Sequence, residues 1–281
     1  MRLDIFKTLW GHQGSYAEAA AQAQETGFAG LEATLPAEPA KQRELAAALR
    51  DANLSYIGEV YTGGWYVPDR RAPPERHLAD IAAALAAADA LAPRFVTAIA
   101  GCDAWPLDTS LRFFEDALRL AEKSGHALVF ETHRSRTLFN PWVAVEVLRR
   151  LPGLRLTADF SHWFVVCERA LDDEPDAMEF IASRVHHIHA RVGYDQGPQV
   201  PHPAAPEYAR WLEAHQRLWQ SVWQSQRGRG YPVTTLTPEF GPDGYLHEQP
   251  FTREPVADLW EVNRWMASAE RKHFAAWSGK A

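Results

Sequence analysis

The chain has 281 residues, of which 46% are hydrophobic, and a formal net charge of −7 at pH 7. This length exceeds that of most single domains, but α/β barrels reach it as one domain, and the apolar fraction allows a sizeable core. The negative charge argues against a nucleic acid as the main partner, because that affinity comes from Lys and Arg side chains that neutralise phosphates.

The cysteine usage and the lack of long apolar runs predict the cellular setting. Cys102 and Cys167 are far apart and form no CxxC motif, so we expect a reducing, cytoplasmic environment. The N-terminal segment lacks the apolar run of a signal peptide, and no apolar stretch approaches the roughly 18 residues of a membrane span. We therefore expect a soluble, intracellular protein without a membrane partner.

Strand-like and helix-like segments alternate from end to end. Ser15 with Glu18 forms a capping box at the start of the first helix, and Asn140 followed by Pro141 marks the start of a later one. The eight predicted strands are 3–8, 30–34, 55–61, 95–100, 127–132, 154–159, 186–192 and 234–240. Eight βα units without a break in composition predict a single (β/α)8 TIM-barrel domain over residues 1–281.

A doubly wound sheet is the main competing fold, but it normally has fewer strands, and the first βα turn here lacks a GxGxxG fingerprint. Residues 61–74 and 193–206 form the two longest predicted loops, after the third and seventh strands. Loops in these positions build the active-site mouth of a barrel, so we expect them to act as lids or specificity elements.

Four of the later predicted strands each carry a metal-ligand residue near the C-terminal end. They are Glu131 in VFETH, Asp159 in LTADFSHW, His189 in HHIHARV and Glu239 in TLTPEF. Period-two alternation places each on the more polar face of its strand, so the four should converge at the barrel mouth. One such carboxylate would more often make a salt bridge or a helix cap. Four at successive strand ends predict a metal site.

The donor types indicate which ion to expect. Three carboxylates and one imidazole suit one divalent ion such as Mn²⁺, Mg²⁺ or Co²⁺. The lack of a Cys ligand argues against a structural zinc, although Zn²⁺ stays among the ions the site could take. Such a metal would polarise a sugar carbonyl, and the carboxylates beside it would move protons. The combination suits catalysis of proton transfer next to that carbonyl.

The same motifs carry a family resemblance. In order along the chain they are E-x-H at Glu131–His133, D-x-S-H-W at Asp159–Trp163, H-x-H at His187–His189 and the final Glu239. On these motifs the chain resembles the xylose isomerase-like TIM-barrel superfamily, the group of sugar phosphate isomerases and epimerases. The resemblance implies that Glu131, Asp159, His189 and Glu239 bind the metal. It further implies that Glu131 and Glu239 act as acid and base and that His162 contacts substrate oxygens.

Four tryptophans follow predicted strands and are candidates for substrate binding: Trp10, Trp65, Trp105 and Trp163. Their rings could stack on the C–H faces of a sugar and exclude water, or they could form a hydrophobic lid or a subunit contact. Trp163 is favoured for the ligand wall because it follows His162 directly.

Charged and imidazole groups near the predicted site could have several roles. Arg191 lies on the inward face beyond His189 and is expected to hold substrate oxygens, whereas Arg136 is expected to make a surface ion pair. His133 and His187 also point inward, as support for the ligands or as barrel filling, and His133 is a candidate substrate contact. Glu32 could line the pocket or form a structural salt bridge. No glycine-rich cradle supports a phosphorylated substrate.

These features favour a metal-dependent isomerase or epimerase of a small-molecule carbohydrate, working in carbohydrate metabolism. A lyase or dehydratase on an inosose or 3-keto-sugar is the alternative. An apurinic-site endonuclease would need more His on the early strands, and a non-catalytic sugar-binding subunit would not need an intact ligand set. The many helix tryptophans suggest a homo-oligomer; they are Trp211, Trp219, Trp223, Trp260 and Trp265.

Overall fold

The protein forms a closed barrel of eight parallel strands, described here from a computed structural model for residues 1–242 and 244–279. The strands pair in chain order and the first pairs with the last, which confirms the predicted (β/α)8 TIM-barrel fold. They are β1 Arg2–Thr8, β2 Gly30–Thr34, β3 Ser55–Tyr61, β4 Val96–Ile99, β5 Leu128–Glu131, β6 Leu156–Ala158, β7 Val185–His189 and β8 Val233–Thr237.

Helices connect the strands and form the outer layer. They are α1 Tyr16–Glu25, α2 Pro39–Asp51, α3 Pro74–Ala88, α4 Leu107–Ser124, α5 Pro141–Arg150, α6 Ser161–Cys167, α7 Pro175–Ala182, α8 Ala209–Gly228 and α9 Leu259–Ser278. Two helices, α6 and α7, share the connection from β6 to β7, and a short 3₁₀ helix, Pro206–Tyr208, precedes α8.

Local sequence signals set the helix starts. The Ser15 hydroxyl accepts a hydrogen bond from the Glu18 amide, and the Glu18 carboxylate accepts one from the Ser15 amide, so the predicted capping box is present. At α5 the Asn140 side chain accepts a bond from the Val143 amide, 2.9 Å away. Both caps satisfy amides that the first helical turn leaves without a partner.

Alternation along the strands produces two separate cores. Side chains such as Phe130, Ile188 and Leu236 point outward and pack in a large core under the helices. A second, small apolar cluster fills the barrel interior below the site, and it consists of Phe6, Ile57, Phe95 and Val129. On β5, for example, Val129 belongs to the inner cluster and Phe130 to the outer core, as the period of two requires.

The connections at the carboxyl ends of the strands differ from the prediction in two ways. Strands β7 and β8 end three residues earlier than predicted, so Arg191 and Glu239 lie in loops just beyond them. Residues 238–242 and 244–258, between β8 and α9, belong to a third long connection that the sequence analysis did not single out. In the described part of the chain, no helix has the length and apolarity needed to cross a membrane.

The tryptophans of α8 and α9 discussed above pack in or against the hydrophobic core of the chain. Trp219 and Trp223 are fully buried, and Trp211 is 6% exposed. They pack in the core under the helices, together with partly buried Trp260 and Trp265. The homo-oligomer expected from these tryptophans stays a prediction.

The inner cluster gives a direct test of the barrel packing. Phe95 is 2% exposed and its ring packs 5.3 Å from that of His187. We expect Phe95→Ala to lower the free energy of unfolding by about 3–5 kcal/mol, because a cavity replaces the ring. Urea denaturation monitored by circular dichroism measures this. Phe251→Ala, at a fully exposed position, should change it by less than about 0.5 kcal/mol. Equal effects of the two substitutions would contradict the assignment of Phe95 to a packed interior.

Candidate metal centre and active site

The structure brings the four sequence-predicted ligands together inside the carboxyl end of the barrel. One ligand atom each from Glu131, Asp159, His189 and Glu239 lies within 4.8 Å of all the others. All four side chains are buried, with at most 6% of any residue exposed. Two ligand atoms that each lie about 2.0–2.2 Å from the same ion are at most roughly 4.4 Å from each other. The cluster therefore has nearly the size that a single divalent cation requires.

The orientation of His189 is set by a fifth buried residue, Glu32 on β2. The Nε2 atom of His189 lies 3.0 Å from one Glu32 oxygen, and Nε2 of His187 lies 3.2 Å from the other. Burial raises the pKa of Glu32, but the two imidazoles lower it more, so its pKa falls well below the usual range. An ionised Glu32 accepts a hydrogen bond from Nε2–H of His189 and thereby fixes which nitrogen carries the proton.

The other nitrogen of His189, Nδ1, then faces the predicted ligands. Nδ1 lies 3.0 Å from a Glu239 oxygen and 3.7 Å from a Glu131 oxygen, yet it is buried without a hydrogen bond. A buried imidazole nitrogen that makes no hydrogen bond of good geometry and points at three carboxylates can bind a cation once it is deprotonated. The donor set and this orphaned nitrogen both fit a divalent cation.

The cluster concentrates negative charge where water is scarce. Burial raises the pKa of Glu131 to about 7, with His189 acting to lower it and Glu239 to raise it. Burial likewise raises the pKa of Asp159, although Arg191 opposes the shift. For His189, burial lowers the pKa, but the surrounding carboxylates, Glu239 foremost, raise it well above its usual value. All three shifts show that additional positive charge would stabilise the site.

Arg191 and His162 stand beside the cluster, as the sequence predicted. The Arg191 guanidinium donates to Asp159 and to the Ser161 hydroxyl, and one of its nitrogens lies 2.8 Å from Nε2 of His162. Burial, His133 and Arg191 together hold the pKa of His162 well below its usual value, so the ring is neutral and accepts this bond. The His133 ring packs against that of His162, with the centroids 3.9 Å apart.

Aromatic side chains close the cavity over these groups. The inner cavity is lined by Trp10, Tyr61, Tyr66, Ile99, Glu131, His133, Arg191, Glu239 and Tyr245. Its volume is about 20 Å³, which is room for little more than one water. Tyr245 comes from the long loop after β8, and its ring packs 5.0 Å from Trp10 and 6.2 Å from Tyr66. Together the three rings leave no room beside the carboxylates for a molecule much larger than water.

Two of the four predicted substrate tryptophans lie at the mouth and two do not. Trp10 lines the inner cavity and Trp65 an adjoining groove. Trp163 is instead fully buried, with its indole nitrogen donating to the carbonyl of Leu138. The interpretation of Trp163 as a wall of the ligand site is therefore wrong. Helix α6 begins at Ser161, so a step of about 100° per residue turns position 163 into the core while position 162 faces the site.

Trp105 also lies away from the inner cavity. Its ring packs 4.7 Å from His77 and 5.3 Å from Phe113, between α3 and α4. The β4–α4 connection turns sharply at Gly101, whose φ is 76°, and this turn carries the ring outward to the helix layer. Trp105 thus packs against the helices and makes no contact that would place it at the carboxylates.

Sequence reasoning missed Glu59, Tyr66 and Tyr245. Glu59 is the fifth residue of β3, on the inward face shared with Ile57, and it is 3% exposed. Burial, then Glu32 and Glu239, raise its pKa well above the usual value. The same alternation rule that located Glu131 would have located Glu59. The tyrosines lie in loops, where no periodicity shows the direction of a side chain.

Arg136 also differs from expectation, since it is fully buried rather than on the surface. Its guanidinium donates to the backbone carbonyl oxygens of Thr62, Trp65, Tyr66 and Gly101. These bonds tie the β3–α3 loop, which carries Trp65 and Tyr66, to the rest of the barrel mouth. Arg136 is therefore a positioning residue for the aromatic wall.

A closed parallel α/β barrel with a buried carboxylate–imidazole cluster at its strand ends defines a recognisable class. The chain belongs to the xylose isomerase-like TIM barrel family, whose sequence profile matches residues 20–199, more than half of the 281 residues. No curated protein matches the sequence at a significant level.

Similar solved structures include enzymes of different reactions. An L-ribulose 3-epimerase superposes with a TM-score of 0.68 at 13% identity, over 100% of this chain and 97% of that one. A 3-keto-D-glucoside 4-epimerase from E. coli gives 0.61 at 16%, over 96% and 100%. Endonuclease IV from Thermus thermophilus gives 0.60 at 16%, over the full length of both chains. At such identities these similarities show the fold alone.

The anchoring role of Arg136 can be tested by a conservative change. We expect Arg136→Lys to speed amide hydrogen exchange in residues 62–66 and to lower the urea midpoint. A single ammonium cannot serve four carbonyls, and each buried group left unsatisfied costs about 1–3 kcal/mol. Arg119→Lys, on the exposed face of α4, serves as the control. Unchanged exchange in residues 62–66 would show that the loop holds its position without Arg136.

Proposed function

We propose that the protein is a divalent-metal-dependent isomerase or epimerase that acts on a sugar or sugar derivative. The observation that carries this proposal is the Nδ1 nitrogen of His189, which Glu32 orients toward Glu131, Asp159 and Glu239. Family membership and the similarity to sugar epimerases support it. The oxygen-rich donor set suits Mn²⁺, Mg²⁺ or Co²⁺.

In this proposal Glu131, Asp159, His189 and Glu239 hold the cation, which when bound would polarise a substrate carbonyl and acidify the neighbouring C–H. Glu131 and Glu239 have a further role in moving the proton. One carboxylate takes the proton from carbon and the other supplies one, each step being general acid–base catalysis by a positioned side chain. Both carboxylates lie within 3.7 Å of the same His189 nitrogen, so they flank a common point.

The remaining groups orient the substrate and keep water out. Arg191 is charged and buried, and we propose that it and neutral His162 bind substrate oxygens beside Asp159. The rings of Trp10, Tyr66 and Tyr245 cover the carboxylates and would exclude water from a carbanion-like intermediate. Endonuclease IV shares the fold, but a net charge of −7 gives little attraction for a phosphate backbone.

Isotope exchange tests the reaction class. The protein is incubated with Mn²⁺ and a panel of ketoses, aldoses and 3-keto-sugars in D₂O and followed by NMR and mass spectrometry. We expect deuterium at a single carbon and an otherwise unchanged mass. Loss of water or of an aglycone would assign the protein instead to the lyases, the alternative that the same carboxylates could serve.

Glu131→Gln and Glu239→Gln should each lower the exchange rate by at least about 10²-fold, the usual contribution of one acid–base group. Glu213→Gln, on the exposed face of α8, is the matched control and should exchange at the rate of the unchanged protein. Full exchange and full metal content in Glu239→Gln would rule out the proposed role of that residue.

Metal binding can be tested without any substrate. We expect Mn²⁺ to raise the melting temperature and a chelator to reverse the effect, since an ion at about 100 times its Kd stabilises a native site by about 2.7 kcal/mol. Asp159→Asn should remove most of this increase, and Asp51→Asn, at an exposed position, should keep all of it. A melting temperature that changes with none of Mn²⁺, Mg²⁺ and Co²⁺ would contradict the metal assignment.

A further inference from the structure

A second concavity adjoins the inner cavity and is not used by the proposed chemistry. This aromatic groove has a volume of about 390 Å³ and shares the walls Trp10 and Tyr61 with the inner cavity. Its sides are the β1–α1 loop around residues 9–16 and the start of the β3–α3 loop, and its floor includes Ala33 and Glu59. A volume of this size is within the range of small-molecule sites.

One side of the aromatic groove is a flat apolar surface on a fixed support. The rings of Tyr61 and Trp65 are stacked, with centroids 4.5 Å apart and a tilt of 32°. Trp65 is 50% exposed, yet Arg136 holds its backbone carbonyl. An exposed tryptophan on an anchored backbone offers binding area at a low entropic cost.

The floor of the groove supplies an unused polar group. Among the described residues, the Glu59 carboxyl makes no hydrogen bond and no ion pair, although Glu59 is only 3% exposed. Burial, and after it the nearby carboxylates of Glu32 and Glu239, disfavour its ionisation. A protonated carboxyl that faces a cavity can donate a hydrogen bond to a hydroxyl or ether oxygen. The Glu59 carboxyl is therefore available to a ligand that enters the groove.

The charges of the lining residues restrict the occupant. None of the described residues that line the groove is Lys or Arg, so a phosphate or carboxylate would find no counter-charge there. Polar side chains at the rim, His12, Gln13 and Thr34, accompany the aromatic rings. A surface that combines aromatic faces with neutral hydrogen-bonding groups matches a sugar ring, which has apolar C–H faces and hydroxyls at its edge.

We propose that the substrate is a glycoside whose second, neutral sugar ring occupies the aromatic groove. The inference rests on the proposed function: the reacting ring lies beside Glu131 and Glu239, and the glycosidic link passes Trp10 and Tyr61. The second ring stacks on Trp65, and Glu59 donates a hydrogen bond to one of its oxygens. This arrangement makes the groove the determinant of substrate class.

Matched substrates test the proposal on the Mn²⁺-loaded protein. The exchange assay in D₂O compares 3-keto-D-glucose with the 3-keto derivatives of cellobiose, maltose, sucrose and phenyl glucoside. We expect kcat/KM for at least one disaccharide to exceed that for the free sugar and for the phenyl glucoside by about tenfold or more, as expected for one stacked ring. A preference for phenyl glucoside over every disaccharide would overturn the assignment to a second sugar.

Variants connect that preference to the groove. Trp65→Ala and Glu59→Leu should each reduce the ratio of disaccharide to free-sugar kcat/KM by about tenfold. Trp142→Ala, which removes another exposed tryptophan far from the groove on α5, should leave the ratio unchanged. An unchanged ratio in both groove variants would overturn the proposal.

A binding measurement separates this inference from the proposed reaction. Calorimetry with unoxidised cellobiose, maltose, sucrose and D-glucose needs no turnover. Tighter binding of a disaccharide that Trp65→Ala abolishes supports the groove even if no exchange occurs, in which case only the proposed reaction fails. Exchange with free sugars, together with equal binding of D-glucose and all three disaccharides, would preserve the reaction and refute the groove.

Discussion

The hydrogen bond between Glu32 and His189 is the interaction on which the candidate site depends. Glu32 lies on β2 and His189 on β7, so this bond crosses the barrel interior at 3.0 Å. It holds Nε2 as the donor to Glu32 and leaves Nδ1 facing Glu131, Asp159 and Glu239. Without Glu32 the imidazole could turn, and Nδ1 would no longer be held toward the three carboxylates. Through this bond Glu32, which is not one of the four predicted ligands, orients one of them.

The same interior explains why so many ionisable groups can be buried together. The lower part of the barrel is filled by Phe6, Ile57, Phe95 and Val129, and the carboxylates begin one layer above. Arg191 already neutralises Asp159, and His189 stands between Glu32 and Glu239. Each ionised carboxylate of the site is thus met by a positive or titratable partner, whereas at Glu59 burial and the neighbouring carboxylates disfavour ionisation. Partial compensation of this kind is costly to stability, and sites that bind cations commonly have it.

Much of the fold and of the ligand set could be predicted because side chains alternate between the two faces of a β-strand. The bounds of β2 and β3 were predicted to the residue, and alternation placed Glu131 and His189 on the inward face. The failures have equally specific causes. Trp163 was misplaced because a helix starts at Ser161, and Arg136 because an arginine in a loop gives no sign that carbonyl groups surround it. Tyr245 was missed because its position depends on contacts with Trp10 and Tyr66 from distant loops.

Hydrogen bonds from polar side chains help to hold those loops in place. Gln199 both donates to and accepts from the backbone of Gly241, and so joins the loops after β7 and β8 in the way that Arg136 secures the loop after β3. At Gly241 a Cβ atom would collide with the Trp10 ring, so only glycine lets this ring lie against the backbone. Trp10 forms the wall shared by the inner cavity and the aromatic groove. Because the inner cavity is almost filled, a substrate must displace Tyr66 or Tyr245 while these anchors stay in place. The anchors therefore confine the motion to side chains and keep the carboxylates fixed.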